Sequence, residues 1–315
     1  MTGTVEGPAP RQGTILRGRG PPLVRHWDVG ADVPHTSEPR AGGLRLPTRQ
    51  VPLAAVALYL AAHAVFVVAV NLGFQARLPG LDTLTANWLG LALLVGGLLF
   101  AAFGLRPADV GLRGRDLPGG VAFTLAYFAL LQAGLLGYAA LSGAEVVNDW
   151  ARTGSATAAY LLLSQLLGNA LYEEIVFRGF LLPQLTLKLR RLGAALALGT
   201  AVVVSQAAFS LAHVPNRLWV TGLPAAELPG ALLQLFAMGL FFALLYLLTG
   251  NLFAVVGVHA LNNAPMLHLA ADGAPLGASA GVAVAAALLL AVAWRAWLVR
   301  SARPYRGRSA PMAPA

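Results

Sequence analysis

The sequence contains no cysteine and few charged residues. Of its 315 residues, 11% are charged, whereas 57% are hydrophobic. The absence of cysteine excludes disulfides, thiolate metal sites and cysteine nucleophiles. The mean hydropathy of +0.67 lies far outside the balance of a soluble globular protein. The composition therefore predicts a membrane protein.

The little charge that the chain carries is mostly positive, with a formal net charge of +9. In a soluble protein this excess would suggest nucleic-acid binding, but no basic segment here is interleaved with aromatic residues. The basic residues instead lie in the tails and in short loops beside apolar segments, where they orient a protein in the membrane. We therefore expect the lipid bilayer, and not nucleic acid, as a partner.

Long apolar stretches recur along the chain from residue 51 onward. Most are close to the roughly 20 residues with which a helix crosses a hydrocarbon core of about 30 Å. They are too long and continuous for the strands of a membrane barrel, so an all-α bundle of eight transmembrane helices is predicted. The predicted spans are residues 51–74, 87–105, 120–142, 158–187, 192–213, 229–249, 252–271 and 276–299.

The chain ends differ from this apolar part. Residues 1–50 are rich in Pro, Gly and Arg and contain no apolar run of the kind found in a cleaved signal peptide, so we expect a disordered basic tail. Residues 51–299 are expected to form the membrane domain, and residues 300–315 a basic cytoplasmic tail. Lys and Arg cluster in both tails, in the loop between the second and third spans and in the loop between the fourth and fifth, which predicts that both termini are cytoplasmic. The abundance of Ala, Gly, Arg and Leu suggests a multi-pass protein of a bacterial inner membrane.

Three charged residues interrupt the fourth predicted span. A charge near the bilayer centre costs at least about 2.5 to 3.5 kcal/mol, so each one needs a partner or a function. Glu174 and Arg178 are four positions apart with the acid first, which predicts an ion pair on one helix face. Glu173 points about 100° away from Glu174 on a helix. This leaves one carboxylate for proton-transfer chemistry.

Two further helices carry polar residues at helical spacing. His259 and Asn263 share a face of the seventh span, and Phe209 and His213 share a face at the end of the fifth. A glutamate, two histidines and an asparagine can supply a general base, a group that positions water, and donors to an oxyanion. This combination suits hydrolysis of an amide. The G-x-S-x-G motif of serine hydrolases and the H-E-x-x-H motif of zinc proteases are both missing.

Each polar residue taken singly has a simpler interpretation as an interhelical hydrogen-bonding group. His63 and His268 have no polar partner at helical spacing and are interpreted in this way. A non-catalytic scaffold, an immunity factor or a chaperone remains an alternative, and a transporter with a proton relay is a more distant one. Catalysis predicts one shared polar cavity with an apolar wall that includes Phe177 and Phe209. We expect this cavity to open towards the cytoplasmic half, near the basic turn at residues 188–191.

The polar residues together resemble the CAAX prenyl endopeptidase type II and bacteriocin-processing (CPBP) family of intramembrane proteases. The similarity extends over about residues 105–270, which would form the catalytic core, and includes G-L-R at Gly111 to Arg113. Three motifs carry it in this order: E-E-x-x-x-R from Glu173 to Arg178, F-x-x-x-H from Phe209 to His213, and H-x-x-x-N from His259 to Asn263.

The resemblance implies an endopeptidase with defined roles for these residues. Glu173 would activate the attacking water with help from His213, and His259 and Asn263 would stabilise the oxyanion. The supporting residues would be Glu174, Arg178 and Phe209.

No cofactor is required by this reaction. Glu173, His213 and His259 could instead bind zinc. Asn263 is an unusual zinc ligand but a suitable oxyanion donor, which favours a mechanism without metal. The substrate would be a peptide or a membrane protein, and the prenylated substrates of eukaryotes are not expected for a chain of bacterial composition.

Overall fold

The computed structural model describes residues 40–41, 44–45, 49–270 and 277–301. Most of the predicted disordered tail, residues 1–50, and of the predicted basic tail, residues 300–315, lies outside these described residues. Near the end of the predicted N-terminal tail, β1 (Arg40–Ala41) and β2 (Leu44–Arg45) pair as two short antiparallel strands.

The described chain is an all-α polytopic membrane protein with a second short strand pair. Six of its helices, all except α4, α5 and α8, are long and apolar enough to cross a bilayer. The helices are α1 (Leu53–Gln75), α2 (Thr83–Ala102), α3 (Leu117–Ser142), α4 (Asp149–Thr153), α5 (residues 155–188), α6 (Ala194–Ala212), α7 (Leu228–Thr249), α8 (Leu252–Asn263) and α9 (Ala278–Ser301), and the strands are β3 (Val146–Asn148) and β4 (Leu267–Leu269).

The predicted number of eight long apolar spans differs from the six in the described residues for two physical reasons. The helix α5 occupies the fourth predicted span but carries polar and ionic groups in its middle. The helix α8 fills the predicted span 252–271 only as far as Asn263. At about 1.5 Å per residue, its 12 residues cover roughly 18 Å, which is less than a hydrocarbon core of about 30 Å.

The helix α5 lies in the centre of the bundle and has an irregular hydrogen-bond pattern. All residues from 174 to 184 are buried, so protein surrounds this half of the helix on every side. Turns of π-helix are frequent at functional sites because they change the direction of neighbouring side chains. Along α5, the α-helical segments Ser155–Ser164, Ala170–Glu174 and Leu182–Lys188 alternate with the π-helical segments Gln165–Asn169 and Ile175–Leu181.

Glycines let the backbones around α5 and α8 approach closely. A Cβ added at Gly257 of α8 would lie 1.8 Å from Oγ1 of Thr124 in α3. A Cβ added at Gly179 of α5 would lie 2.4 Å from the carbonyl oxygen of Val110. Small residues at such contacts are typical of packed membrane helices. The first contact brings α8 against α3, and the second brings α5 against the turn Pro107–Val110 that precedes α3.

The strands β3 and β4 join two distant parts of the chain at one end of the bundle. They pair antiparallel, with Val146 opposite Leu269. His268 in β4 lies beside α4, with its Nδ1 2.6 Å from Oδ2 of Asp149. His268 therefore has a structural contact in this strand pair, as its interpretation from the sequence expected.

Candidate active site

Three helices bring the side chains of Glu173, His213 and His259 together. Oε1 of Glu173 lies 3.7 Å from Nε2 of His213, and Oε2 lies 3.7 Å from Nε2 of His259. The Glu173 side chain remains 14% exposed, whereas that of Glu174 is completely buried. One carboxylate thus lies between two imidazoles and keeps contact with open space.

Hydrogen bonds at Nδ1 set the orientation of both imidazole rings. Nδ1 of His213 lies 2.8 Å from the carbonyl oxygen of Phe209, which can only accept, so this nitrogen donates. Nδ1 of His259 lies 2.8 Å from Oε1 of Glu174 and donates to that carboxylate. Both rings therefore direct Nε2 towards Glu173, an orientation that a neighbouring acceptor commonly imposes on functional histidines.

The ion pair predicted between Glu174 and Arg178 is present. Nη1 of Arg178 donates to Oε1 of Glu174 at 3.0 Å, and both side chains have no exposed area. Nη2 donates to the carbonyl oxygen of Gly239 at 3.2 Å. Because the same Glu174 oxygen also accepts from His259, the ion pair and the imidazole form one buried network.

Aromatic rings surround this network. The guanidinium carbon of Arg178 lies 4.5 Å from the centre of the Phe209 ring and 5.3 Å from that of Phe242. Phe242 also stacks on His259, with ring centres 4.4 Å apart. Such contacts stabilise a buried cation. Phe209 lies where the sequence motif implied, but Phe242 in α7 is a contact for which the sequence contains no signal.

Asn263 lies at the last turn of α8 and contacts a different partner. Its Nδ2 donates to Oε1 of Gln165 at 2.9 Å, and the residue is exposed. Asn169 donates to the same oxygen at 3.3 Å. The carboxamide is therefore hydrogen-bonded to the π-helical turn of α5 that precedes Glu173.

A cavity of about 270 Å³ adjoins the cluster. Of the four predicted catalytic residues, Glu173 and His213 line it, while His259 and Asn263 do not. Phe177 belongs to its wall, as expected. Phe209, which was also expected there, does not line the cavity, because it packs behind Phe177 with ring centres 5.2 Å apart. Much of its remaining polar lining consists of asparagines, namely Asn71, Asn87, Asn169 and Asn216.

His63 of α1, interpreted from the sequence as an interhelical hydrogen-bonding group and not as a catalytic residue, also lines this cavity. Its Nδ1 lies 2.8 Å from the hydroxyl of Tyr172, the residue directly before Glu173. The ring also meets Phe177 edge-on, with centres 5.5 Å apart. Its partner is on another helix, so spacing within α1 could not reveal the pair.

The cavity lies at the opposite ends of the helices from the basic turn at residues 188–191. Its outer lining includes Phe74 near the end of α1, Thr83 at the start of α2, and Asn216 after α6. Among the described residues, this cavity does not open near the basic turn, where the opening was expected. On that side of Glu173, residues 174–184 of α5 are all buried, and a separate cavity of about 300 Å³ is lined by Arg49 and Phe103 but not by Glu173.

At the rim of the cavity, Asp82 caps the first turn of α2. Its Oδ1 accepts from the backbone N–H of Thr85 at 2.7 Å, and its Oδ2 accepts from the hydroxyl of Tyr160 at 3.0 Å. The hydrogen bonds from Thr85 and Tyr160 hold the pKa of Asp82 below its ordinary value. This contact ties the start of α2 to the first turns of α5.

Among the residues that the structure describes, no group of three or more His, Asp or Glu side chains is arranged to hold a metal ion. The two Nε2 atoms nevertheless point towards the Glu173 carboxylate.

Comparison with protein families identifies part of the chain. Residues 155–265 match the family model of type II CAAX prenyl endopeptidases, Rce1-like. The chain contains an Rce1-like domain. This domain begins with α5 and ends just after α8, so it is shorter than the expected core at residues 105–270. It belongs to a family of proteases and includes all seven residues that the sequence motifs singled out, whereas His63 lies outside it. No curated protein and no solved structure matches the chain significantly.

Proposed function

We propose that the protein is an intramembrane endopeptidase that hydrolyses a peptide bond of a membrane-associated peptide or protein. The observation that carries the proposal is the Glu173 carboxylate, held 3.7 Å from two imidazole Nε2 atoms beside an open cavity. The protease family of the Rce1-like domain supports the same reaction class.

In the first step, Glu173 acts as the general base. A water in the cavity donates one hydrogen bond to Glu173 and a second to Nε2 of His213. Glu173 accepts a proton as the water oxygen attacks the peptide carbonyl carbon. The same carboxyl group then donates this proton to the amine that leaves when the C–N bond breaks.

The developing oxyanion is stabilised by His259 and Asn263. His259 donates from a protonated Nε2, while its Nδ1 donates to Glu174, and the two glutamates together balance the charges of Arg178 and the imidazolium. Asn263 has two amide hydrogens, one of which Gln165 occupies. The second is the oxyanion donor in this proposal.

Eight membrane crossings with both termini in the cytoplasm of a bacterial cell complete the proposal. The side chain of Asn251, just before α8, donates to the carbonyl oxygen of Asp116 at the start of α3 at 2.7 Å. The strand β4 after α8 pairs with β3 after the other end of α3. The short α8 and the turn that follows it therefore pass from one end of α3 to the other.

The proposal is tested by comparing membrane proteomes of cells with the active protein and with Glu173→Gln. We expect at least one cleaved peptide bond to disappear in Glu173→Gln and to persist in Glu145→Gln, which makes the same change at an exposed glutamate. If every cleavage persists in both variants, a non-catalytic scaffold or chaperone becomes the better interpretation.

Zinc is the second candidate for activating the water, because both Nε2 atoms face Glu173. Glu173, His213 and His259 would hold the ion, which would act as a Lewis acid towards the attacking water. We expect cleavage to persist after chelation of divalent ions. If chelation abolished cleavage and zinc alone restored it, the metal-independent mechanism would be wrong.

A further inference from the structure

The reaction centre lies far from the arginine-rich ends of the helices. The helix α6 begins at Ala194, directly after Arg190 and Arg191, and His213 follows its last residue. At about 1.5 Å per residue, the 19 residues of α6 separate these ends by roughly 28 Å. Glu173, which contacts His213, is therefore also remote from the basic turn.

The helix α2 provides a second and independent measure. A Cβ added at Gly90 would lie 2.9 Å from the ring of Tyr172, so Gly90 marks the level of the site. By α-helical rise, Gly90 is about 10 Å from Thr83. A longer π-helical segment of 12 residues separates Gly90 from the loop after Ala102. The loop before Thr83 contains one arginine, and the loop after Ala102 contains three, between residues 106 and 115. Both helices thus place the site nearer the arginine-poor side.

In the part of the chain that the structure describes, the cavity at Glu173 does not reach the arginine-rich side, where a separate cavity of about 300 Å³ lies between Arg49 and Phe103. Residues 174–184 of α5, which lie between the site and the basic turn, are all buried. On the other side, the cavity reaches Phe74, Thr83 and Asn216 at the helix ends. A substrate can therefore approach Glu173 from the arginine-poor side and not along α5 from the basic turn.

The lining favours a neutral peptide segment as the occupant. Asn71 and Asn87 donate their amide hydrogens to carbonyl oxygens of their own helices, Val67 and Thr83. Oδ1 of Asn71 is buried without a partner. The amide oxygen of Asn87 is thus an acceptor for an N–H group of an extended backbone, whereas Oδ1 of Asn71 has almost no accessible area.

We propose that the cavity opens to the non-cytoplasmic face, and that the substrate is an uncharged peptide segment exposed on that face. The reason is that arginine-rich loops are retained in the cytoplasm, which leaves the opposite helix ends outside. The substrate assignment rests on the proposed function, whereas the position of the opening does not.

The position of the opening is tested by thiol labelling, which the absence of native cysteine makes unambiguous. Intact cells carrying Ala86→Cys in the cavity wall are treated with a small charged methanethiosulfonate that does not cross membranes. We expect Ala86→Cys to react in intact cells, and Arg190→Cys to react only after the cells are permeabilised. The matched control is Leu89→Cys, on the exposed face of the same helix and outside the cavity lining, which should stay unreactive in lipid.

Reaction of Ala86→Cys only after permeabilisation, or in neither condition, would overturn the non-cytoplasmic opening. The side of the membrane on which the substrate is exposed is tested by locating the peptide bonds whose cleavage disappears in Glu173→Gln. Bonds in non-cytoplasmic segments support the proposal, and bonds in cytoplasmic segments contradict it while leaving the endopeptidase function intact. If no bond disappears, the proposed function fails, and the labelling result alone decides the position of the opening.

Discussion

At the scale of single residues, the site depends on how three charges share one buried network. Arg178 has no exposed area and contacts Glu174, the Gly239 carbonyl and two aromatic rings. Its charge neutralises Glu174, which in turn accepts from His259. Glu173 belongs to the open side of the network and is the residue available to a water. The adjacent glutamates therefore have different environments and different expected roles.

This difference predicts opposite effects of two substitutions. Arg178→Ala leaves Glu174 as an uncompensated buried charge, so we expect the free energy of unfolding to fall by about 3 to 5 kcal/mol. Glu173→Ala should lower thermal stability in detergent much less, because its side chain is partly exposed, but it should abolish cleavage. The double variant Glu174→Gln, Arg178→Met removes both charges and should recover part of the loss. Equal stability of the single and double variants would show that lost packing, and not charge, is responsible.

The hydrogen bond between His63 and Tyr172 allows a second residue-scale prediction. Each of His63→Phe and Tyr172→Phe removes one partner of a buried bond of 2.8 Å. Because one loss already breaks the bond, the double variant should be less destabilised than the sum, by about 1 kcal/mol. The measurement is a double-mutant cycle by thermal unfolding in detergent. Strict additivity would mean that the bond makes no contribution.

At the scale of elements, the short α8 positions His259 and Asn263 through its contact with α3. Gly257 allows the backbone to approach Thr124, whose hydroxyl donates to the Gly120 carbonyl at 2.9 Å. The π-helical turns of α5 act in a similar way, because they flank the segment Ala170–Glu174 that carries both glutamates. The π-helical turns of α5 and the glycine at position 257 of α8 thus bring the functional groups together.

Substitution of Gly257 by alanine should therefore move α8. The new methyl group would collide with Thr124, and overpacking of this kind costs about 1 to 3 kcal/mol. We expect lower thermal stability and reduced cleavage, because His259 follows two residues later. Gly199→Ala is the control, since a Cβ there meets nothing within 4 Å. Equal behaviour of the two variants would exclude close packing at Gly257 as the reason for the position of α8.

At the scale of the whole molecule, ionic groups and apolar length determine how the bundle lies in the membrane. The backbone near Arg49 and Val51 accepts hydrogen bonds from Gln184 and Lys188, which brings the start of α1 to the end of α5. The contact between Asn251 and Asp116 lies on the same side and joins the short loop before α8 to the arginine-rich loop before α3. The strand pair β3–β4 lies at the other end. Charge distribution and tertiary contacts thus divide the loops into the same two groups.

This division predicts the location of each loop. Reporter domains fused after residue 315 and before residue 1 should both be active in the cytoplasm, because the adjoining loops are the arginine-rich ones. A reporter inserted at Gly80, in open space between α1 and α2, should be active only outside the cytoplasm. Termini on opposite sides would contradict the proposed eight crossings. If the reporter at Gly80 were active in the cytoplasm, the protein would have the opposite orientation in the membrane, and the proposed non-cytoplasmic opening would be wrong.

Local features of the sequence were sufficient for the membrane class and for the motif residues. Scarce charge and long apolar runs require helices in lipid, and the spacing of Glu174 and Arg178 allowed their ion pair to be predicted, because neighbours on a helix face depend only on helical geometry. The order of the three motifs also indicated the family of the domain at residues 155–265.

Only the tertiary structure decided which features meet across helices and where the cavity lies. The hydrogen bond of His63 to Tyr172, the stacking of Phe242 on His259 and the contact of Asn263 with Gln165 join residues from different helices. Such pairs depend on where helices begin, where π turns rotate them and where glycines let them approach. The cavity position depends on which helix ends separate, so it follows from packing between helices and not from the pattern along any one of them.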